Sequence, residues 1–369
     1  MFGWQIQLPA YWLQIAVAAV AFAVALLLVL TQRWHGHLTL DSDHGVQKFH
    51  TAPTPRVGGL AVVMALLLGN HFAPADLRAL LEPLLLAAVP AFGFGIAEDL
   101  TKKVSVGLRL WATIGSGVLV WLQTGIVLQH VDIAPFDFAL QWLPLAVVVT
   151  ALAIGGIANA VNMIDGFNGL AGGSLVFMFG ALGLVAQQAG DPALAGLCFM
   201  FVAAGVGFLV LNFPAGKIFL GDGGAYFGGF ALAWLAILLP ARNPEVSPWA
   251  SLLICTYPVL EVVFSILRRR HRRSHPGAPD RLHLHSLVHA RVVRHFISAA
   301  HPTLRNAAVS PLMWLLTLAP ACLVQLSWYS RTLCLLGVVF VCSAYLMCYV
   351  RLVRFRWPCT SSAIELHRT

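Results

Sequence analysis

The sequence predicts an all-α polytopic integral membrane protein, and its composition and its long apolar segments both point to this class. Of the 369 residues, 59% are hydrophobic and only 10% are charged, whereas a soluble domain is about 45–50% apolar and about 25% charged. Such a chain lacks the polar groups to cover a water-exposed surface. A soluble enzyme, a disordered chain and a disulfide-stapled secreted module are therefore excluded.

Eleven segments are apolar enough to be predicted membrane spans, given that a helix needs about 20 apolar residues to cross the hydrocarbon core. They cover residues 9–31, 57–70, 79–97, 107–124, 141–158, 169–187, 191–211, 224–241, 247–267, 309–328 and 331–350. We interpret the first as a span and not as a cleavable signal peptide, because no basic residue precedes it and no small-residue cleavage site closes it.

The basic residues predict the orientation of these spans. Of the 23 Lys and Arg residues, 20 lie in the connections after odd-numbered spans or in the C-terminal tail; the exceptions are Arg78, Arg242 and Arg331. Basic residues favour the cytoplasmic side, so we expect the N-terminus outside and the C-terminus in the cytoplasm. A net charge of +8 gathered at one face indicates anionic lipid headgroups and anionic substrates as partners, and not nucleic acid.

Polar residues collect in the five connections on the predicted cytoplasmic side of one transmembrane domain, 1–369. These connections cover about 32–56, 98–107, 159–169, 212–223 and 268–308. Merely solvated loops would be equally polar on both faces. The asymmetry therefore predicts a single active site on the cytoplasmic face. The seven cysteines lie mostly within spans without CxxC spacing, so no metal site or disulfide framework follows from them.

The first two connections carry charged groups suited to phosphate and metal. Lys48 and Arg56 can bind phosphate. A basic loop beside the membrane, with no role in binding, is the alternative interpretation. The adjacent carboxylates of Glu98 and Asp99 can hold Mg²⁺ or act as a base. A solvated helix end is the alternative for this pair.

The third connection carries amides and a carboxylate at helical spacing. On a helix, Asn159, Asn162, Asp165 and Gly166 share one face. Two amides and a carboxylate on one stripe, followed by a glycine-rich turn, suit a nucleotide or diphosphate. Polar contacts between helices are the alternative interpretation.

The fourth and fifth connections add a carboxylate, an aromatic ring and histidines. Asp222 lies between glycines at the start of a span whose dipole favours anions, and Phe219 can stack on a base; a flexible loop capped by Asp is the alternative. The arginines after residue 267 are most simply explained as positive charges that keep this connection on the cytoplasmic side of the membrane. His283 and His285 lack nearby Cys partners for zinc and fit better as hydrogen-bond partners for sugar hydroxyls or phosphate.

Taken in order, the five clusters resemble the polyprenyl-phosphate N-acetylhexosamine-1-phosphate transferases of the MraY/WecA type, over about residues 9–350. The resemblance implies a bacterial inner-membrane enzyme that transfers a sugar-1-phosphate from a UDP-N-acetylhexosamine to undecaprenyl phosphate and releases UMP. It implies Mg²⁺, or Mn²⁺, as cofactor, and it is compatible with a homodimer. The product would start a lipid-linked envelope glycan, such as the O-antigen of lipopolysaccharide.

The resemblance also implies roles for individual residues. Glu98 and Asp99 stand where the family has a paired acidic motif, usually Asp-Asp, so Glu98 is a departure. Asn168 replaces a common Asp. The implied catalytic residues are Asp99, Glu98, Asp165 and Asp222; the implied metal ligands are Asp222 and Asp99; the implied substrate-binding residues are Lys48, Asn159, Asn162, Asn168, Asn212, Phe219, Arg281, His283 and His285.

Within these sets the resemblance assigns finer roles. Phe219 and Asp222 match an F-x-G-D motif whose Phe packs on uracil and whose Asp binds the metal. Arg281, His283 and His285 match the sugar-recognition loop of the WecA branch, whereas the triple-His run of the muramyl-pentapeptide branch is absent. Direct attack of the lipid phosphate and a two-step route through a phosphorylated aspartate both stay open.

Three alternatives belong to other classes. A secondary transporter of an anionic solute would have many spans, but its site would lie near the bilayer midplane and would come with internal repeats. A phosphatase acting on lipid diphosphates and a purely structural membrane scaffold are the others. The gathering of polar residues at one face and the lack of a visible repeat favour the transferase.

Overall fold

The computed structural model describes residues 11–41, 53–271 and 282–354, and these residues are almost entirely helical. The helices are α1 (Tyr11–Leu30), α2 (Gln32–Thr39), α3 (Gly58–Phe72), α4 (Ala75–Ala87), α5 (Val89–Thr101), α6 (Val106–Thr124), α7 (Ala134–Leu140), α8 (Leu143–Ile164), α9 (Leu170–Gln188), α10 (Pro192–Asn212), α11 (Gly221–Arg242), α12 (Pro248–Ile254), α13 (Thr256–His271), α14 (Leu284–Val288), α15 (Arg294–Phe296), α16 (Pro302–Ala307), α17 (Val309–Val324) and α18 (Arg331–Val353). A π-helical turn, His289–Val293, joins α14 to α15.

A short antiparallel strand pair, β1 (Leu40–Asp41) with β2 (Thr54–Pro55), accompanies the helices; it pairs Leu40 with Pro55. The sequence does not predict it, because two residues carry no periodicity. Its place is informative, since β2 lies just before α3 and leads the chain toward Arg56.

The helices confirm an all-α polytopic membrane protein. Within the described ranges, eight helices are long and apolar enough to cross a membrane, or ten spans if each of two bent pairs counts once. The pairs are α4 with α5, bent by 49°, and α12 with α13, bent by 75°. The second predicted segment corresponds to α3, which at 15 residues is short for a span. The count of eleven and the orientation stay predictions.

Helix α11 lies at the centre of the bundle. In its most apolar stretch 94% of the residues are buried, against 22% for α1 and 28% for α18. It packs against α3, α5, α8 and α9. Glycines permit this approach: a Cβ added to Gly229 would lie 2.7 Å from the Cα of Ala158 on α8. Small residues are how membrane helices approach closely, because lipid supplies no hydrophobic force between them.

Helix α8 extends beyond the predicted apolar span, in agreement with the helical spacing of Asn159 and Asn162. The predicted span ends at residue 158, but the helix continues to Ile164. The polar residues Asn159 and Asn162 stay in the helix because their amides find partners on neighbouring helices: Asn159 donates to Thr113 Oγ1 at 3.1 Å, and Asn162 to the Tyr226 hydroxyl at 3.1 Å. The third connection therefore begins at Asp165.

Candidate active site

Asp222 lies in the first turn of α11, where two arginines meet its carboxylate. Arg56 Nη2 donates to Asp222 Oδ1 at 3.0 Å, and Arg109 Nη1 contacts Asp222 Oδ2. The Asp222 side chain is only 9% exposed. A helix N-terminus carries a partial positive charge that favours an anion, so the backbone and both guanidinium groups surround the Asp222 carboxylate with positive charge.

Asp99 supports this arrangement from the last turn of α5. It is fully buried, and its Oδ1 and Oδ2 accept hydrogen bonds from the backbone N–H groups of Asp222 and Gly223 at 3.0 and 2.9 Å. Arg56 Nε lies 3.6 Å from Asp99 Oδ1. Asp99 thus serves as a side-chain cap for α11, whose first N–H groups have no partner within the helix.

The neighbouring Glu98 points elsewhere. Its Oε2 accepts the backbone N–H of Val104 at 2.8 Å and so fixes the turn between α5 and α6. Consecutive residues on a helix point about 100° apart, so two adjacent carboxylates cannot meet one partner equally. The structure separates the pair that the sequence treats as one motif.

Backbone pairing holds the first and fourth connections together. Phe219 donates its N–H to Pro55 O at 2.8 Å, and the N–H of Gly58 returns to Phe219 O at 2.9 Å. Gly221 has φ +77°, and a Cβ there would press on the Arg56 backbone and on the Asp99 carboxylate. A glycine at 221 is therefore needed for Arg56, Asp99 and Asp222 to come together.

Asp165 follows α8 and faces the same group. Burial raises the pKa of Asp165 to about 6, against the opposing effects of the Arg56 charge and a hydrogen bond from Gly221. Asn159 and Asn162 lie on the last turns of α8, so the predicted stripe continues into Asp165 although the helix itself ends one residue earlier. The structure thus places these three side chains in sequence along the end of α8, and their contact with substrate stays a prediction.

The predicted binding residues Asn168 and Asn212 are committed to holding the loops. Asn212 Oδ1 accepts from Gly169 N at 2.7 Å and its Nδ2 donates to Ile218 O at 2.7 Å. Asn168 donates its side-chain N–H to Pro214 O at 3.1 Å. Both are about 5% exposed. In the structure both side chains hold loop backbone in place, and their contact with substrate stays a prediction.

The histidine loop reaches the turn after α8. The ring of His285 meets Phe167 edge-on, with centroids 5.6 Å apart, and stacks on His283 at 5.2 Å. Both imidazoles are buried. Phe219 is half-buried beside the Asp222 turn. Lys48 and Arg281, also predicted to bind substrate, lie outside the described residues.

Two residues of the site were missed by sequence reasoning. Arg109, one turn into α6, was counted only as an inside-positive charge, yet its guanidinium lies against Asp222 and 5.9 Å from the Tyr226 ring centroid. Tyr226 follows Asp222 by one helical turn and joins Arg109 to Asn162. The available signal was a charge set inside an apolar helix, since such a charge is costly unless it has a partner.

The residues present fit a divalent cation that is shared with substrate. No group of three or more His, Cys, Asp or Glu is placed to hold a metal in the described part of the chain. Mg²⁺, however, is held through one or two carboxylates together with substrate phosphates. Asp222 would be the carboxylate ligand in this mode and would share its oxygens with Arg56 and Arg109, whose guanidinium groups contact both of them. Asp99 lies behind it, with both oxygens accepting backbone N–H groups.

Comparison with known proteins places the chain in a family. The family model described as glycosyl transferase family 4 matches residues 82–240. A Yersinia pestis relative, named undecaprenyl-phosphate alpha-N-acetylglucosaminyl 1-phosphate transferase, is 30% identical over 66% of this chain and 67% of its own length. The chain belongs to glycosyl transferase family 4. The matched range holds Asp99, Asp165 and Asp222, and the histidine loop lies beyond it.

Two further family members have similar names. The Bacillus subtilis protein is a probable undecaprenyl-phosphate N-acetylglucosaminyl 1-phosphate transferase, 28% identical over 76% of this chain and 79% of its own length. The protein of Escherichia coli strain K12, an undecaprenyl-phosphate alpha-N-acetylglucosaminyl 1-phosphate transferase, is 28% identical over 66% of this chain and 67% of its own length.

Proposed function

We propose that this protein transfers N-acetylhexosamine-1-phosphate from a UDP-sugar to undecaprenyl phosphate and releases UMP. The observation that carries the proposal is the Asp222 carboxylate, set at the start of the buried helix α11 between Arg56 and Arg109. The names of the family members support this reaction, and their shared sugar favours N-acetylglucosamine as the donor's sugar.

Charge neutralisation is the main requirement of this reaction. An anionic lipid phosphate must approach an anionic diphosphate, and each pair of unit charges at 4 Å repels by about 4 kcal/mol at an effective dielectric of 20. Arg56 and Arg109 supply two fixed positive charges at one point. Guanidinium groups suit this task, because they bind phosphate oxygens in a bidentate manner and stay ionised.

A divalent cation, Mg²⁺ or Mn²⁺, would be held by Asp222, with Asp99 keeping that residue in place. Such an ion supplies charge neutralisation and alignment of the phosphoryl oxygens. Asp99 then acts by position, since both of its oxygens already accept backbone N–H groups. A phosphate monoester has a second pKa of about 6, so the lipid nucleophile is mostly dianionic at neutral pH and direct attack needs no strong base.

The site and the membrane together set where the reaction occurs. Asp99, Asp165 and Asp222 lie at helix ends on one side of the bundle. A lipid phosphate at headgroup level and a water-soluble nucleotide can both reach this place. We place it on the cytoplasmic face of the bacterial inner membrane, where the product would start an envelope glycan such as the O-antigen. A transporter of an anionic solute is not favoured, because its site would lie near the midplane.

The test is transfer in membranes that contain the protein, with undecaprenyl phosphate, Mg²⁺ and a panel of labelled UDP-N-acetylhexosamines. We expect label in lipid and release of UMP in equal amounts, both lowered by a factor of about 10²–10³ in Asp222→Asn. The matched control is Asp76→Asn, which alters an exposed carboxylate on α4 and is expected to leave both readouts unchanged. Folded protein that labels lipid with none of the donors would contradict the proposal.

A further inference from the structure

A fully buried carboxylate lies in α13, outside the group around Asp222. Glu261 is 0% exposed. Its Oε1 accepts from His283 Nδ1 at 2.9 Å and from the Leu284 backbone N–H at 3.1 Å, and its Oε2 accepts from the Tyr345 hydroxyl at 2.9 Å. No role in the reaction proposed above uses this residue.

The three hydrogen bonds explain how a carboxylate is tolerated there. A carboxylate inside a membrane protein is costly unless donors satisfy its oxygens. Here the donors come from two other parts of the chain, since Leu284 starts α14 and Tyr345 belongs to α18. Glu261 thus caps α14 in place of His283, whose own side chain makes no capping bond.

The contacts continue from His283 to the turn after α8. His283 and His285 stack with their rings 8° from parallel. His285 in turn meets the ring of Phe167 edge-on, with the centroids 5.6 Å apart, and a Cβ added to Gly166 would lie 3.5 Å from the His285 Nε2. Gly166 and Phe167 directly follow Asp165. The contacts therefore lead from Glu261 to the turn at the end of the predicted diphosphate-binding stripe.

We infer that Glu261 is a positioning residue for binding of the UDP-sugar. Its carboxylate holds the proton of His283 on Nδ1, and the fixed imidazole keeps His285 stacked over the Asp165–Gly166 turn. Glu261 itself touches no substrate. The donor-binding part of this inference rests on the proposed function, whereas the docking of the loop does not.

A double-mutant cycle tests the inference, with Glu261→Gln, His283→Gln and the double variant in detergent. Glu261→Gln replaces a charged acceptor by a neutral one and His283→Gln removes the imidazole donor; either change in a hydrogen bond to a charged group corresponds to about tenfold in binding. We expect each single variant to raise the KM for the UDP-sugar by that factor with little change in kcat, and the double variant to be no worse than either one. Additive effects, or an unchanged KM, would overturn the inference.

Tyr345→Phe is the matched control, because it removes a partner of the same carboxylate on the side away from the loop. We expect it to lower the melting temperature while leaving the donor KM within about twofold, a purely structural effect. A KM increase equal to that of Glu261→Gln would instead reduce Glu261 to a structural residue. If Glu261→Gln does not fold, Glu261→Asp replaces it in the same measurements. This variant keeps the charge but moves it away from His283 by the length of one methylene.

Hydrogen–deuterium exchange separates this inference from the proposed function. In Glu261→Gln the amide of Leu284 keeps an oxygen acceptor, but that acceptor loses its negative charge, which weakens the hydrogen bond, so peptides covering 282–290 should exchange faster than in the unaltered protein. Unaltered exchange would contradict the docking role. If the unaltered protein releases no UMP from any donor, the transferase proposal fails while this exchange measurement still decides whether Glu261 holds the loop.

Discussion

The carboxylate of Asp99 accepts the backbone N–H of Asp222 across 3.0 Å, so one predicted catalytic residue caps the helix that carries the other. The two belong to helices far apart in sequence, α5 and α11, which pack closely at this end. Asp99 therefore fixes where Asp222 lies, so its part in this arrangement is to position the other carboxylate.

Replacement of Asp99 should damage both stability and turnover. Asp99→Asn keeps the shape of the side chain but has only one acceptor oxygen for the two backbone N–H groups of Asp222 and Gly223. The unpaired N–H group should lower the unfolding free energy by about 2 kcal/mol. Thermal unfolding and UMP release measure the two effects. Glu98→Gln is the control, because its amide oxygen can still accept from Val104, and only a small change in stability is expected. Equal losses in both variants would contradict the different roles of the pair.

Asp222→Asn should remove metal-dependent turnover. The loss of a group that stabilises the developing charge is worth about 10²–10³ in kcat. Binding of Mn²⁺ in the presence of UMP, followed by electron paramagnetic resonance, should weaken in parallel. An Asp222→Asn protein with unaltered Mn²⁺ binding and turnover would exclude Asp222 as a ligand.

Arg109 should contribute to donor binding. Arg109→Gln removes a fixed charge beside Asp222 and is expected to raise the KM for the UDP-sugar about tenfold or more. Arg109→Lys keeps the charge but loses the planar guanidinium group, so its KM should lie between those of the unaltered protein and Arg109→Gln. Arg331→Gln, at an exposed position that starts α18, serves as control. Steady-state kinetics with varied donor would show whether this order holds.

Two glycines on α5 provide a matched test of packing. A Cβ on Gly95 would lie 2.6 Å from the Gly223 Cα and 2.8 Å from Asp222 O, whereas one on Gly93 meets nothing within 4 Å. Gly95→Ala should therefore displace the start of α11 and cost about 1–3 kcal/mol, with reduced turnover. Gly93→Ala should leave melting temperature and turnover unchanged or slightly improved; if both alanines behave alike, close packing at Gly95 is not the cause.

The opposite end of α11 predicts an acid-dependent loss of stability. Asp191 precedes α10 and accepts from Arg242 at 2.6 and 3.0 Å. Burial raises the pKa of this carboxyl, but hydrogen bonds from Arg242 and Leu194 outweigh it and hold the pKa below its usual range. The stabilisation is present above the unfolded pKa of about 3.9 and is lost as the pH falls through the lower folded value.

Melting temperatures in detergent between neutral pH and acid should show this loss. Arg242→Gln should lower stability by about 1 kcal/mol at neutral pH and flatten the acid dependence, while turnover at low temperature stays the same. An unaltered pH profile in Arg242→Gln would mean that the pair contributes nothing.

The sequence predicted the membrane class, and it singled out the carboxylates that the structure brings together, for definite physical reasons. Apolar segments report the membrane directly, and carboxylates such as Asp99 and Asp222 stand out because an apolar chain has so few of them. Arg109 was missed because its partner is 113 residues away and no local pattern shows that. The contacts of Glu261 were hidden in the same way, since they join α13 to α14 and α18.

Local pattern does not show what the asparagines contact. The helical spacing of Asn159 and Asn162 agrees with α8, which continues to Ile164, but their partners lie on neighbouring helices. The resemblance implied substrate binding for Asn168 and Asn212, and that stays a prediction. Their hydrogen bonds to loop backbone depend on how the connections fold against one another, which spacing does not encode.

Helix α11 is fastened at both ends, by the contacts of Asp222 at one and by the pair of Arg242 with Asp191 at the other. Its 22 residues measure about 33 Å at 1.5 Å per residue, close to the hydrocarbon thickness of about 30 Å. The distance between the two ends of this helix is therefore fixed. It sets the depth of the reacting phosphate in the leaflet, so bilayers of shorter or longer acyl chains should change how readily the lipid acceptor meets Asp222.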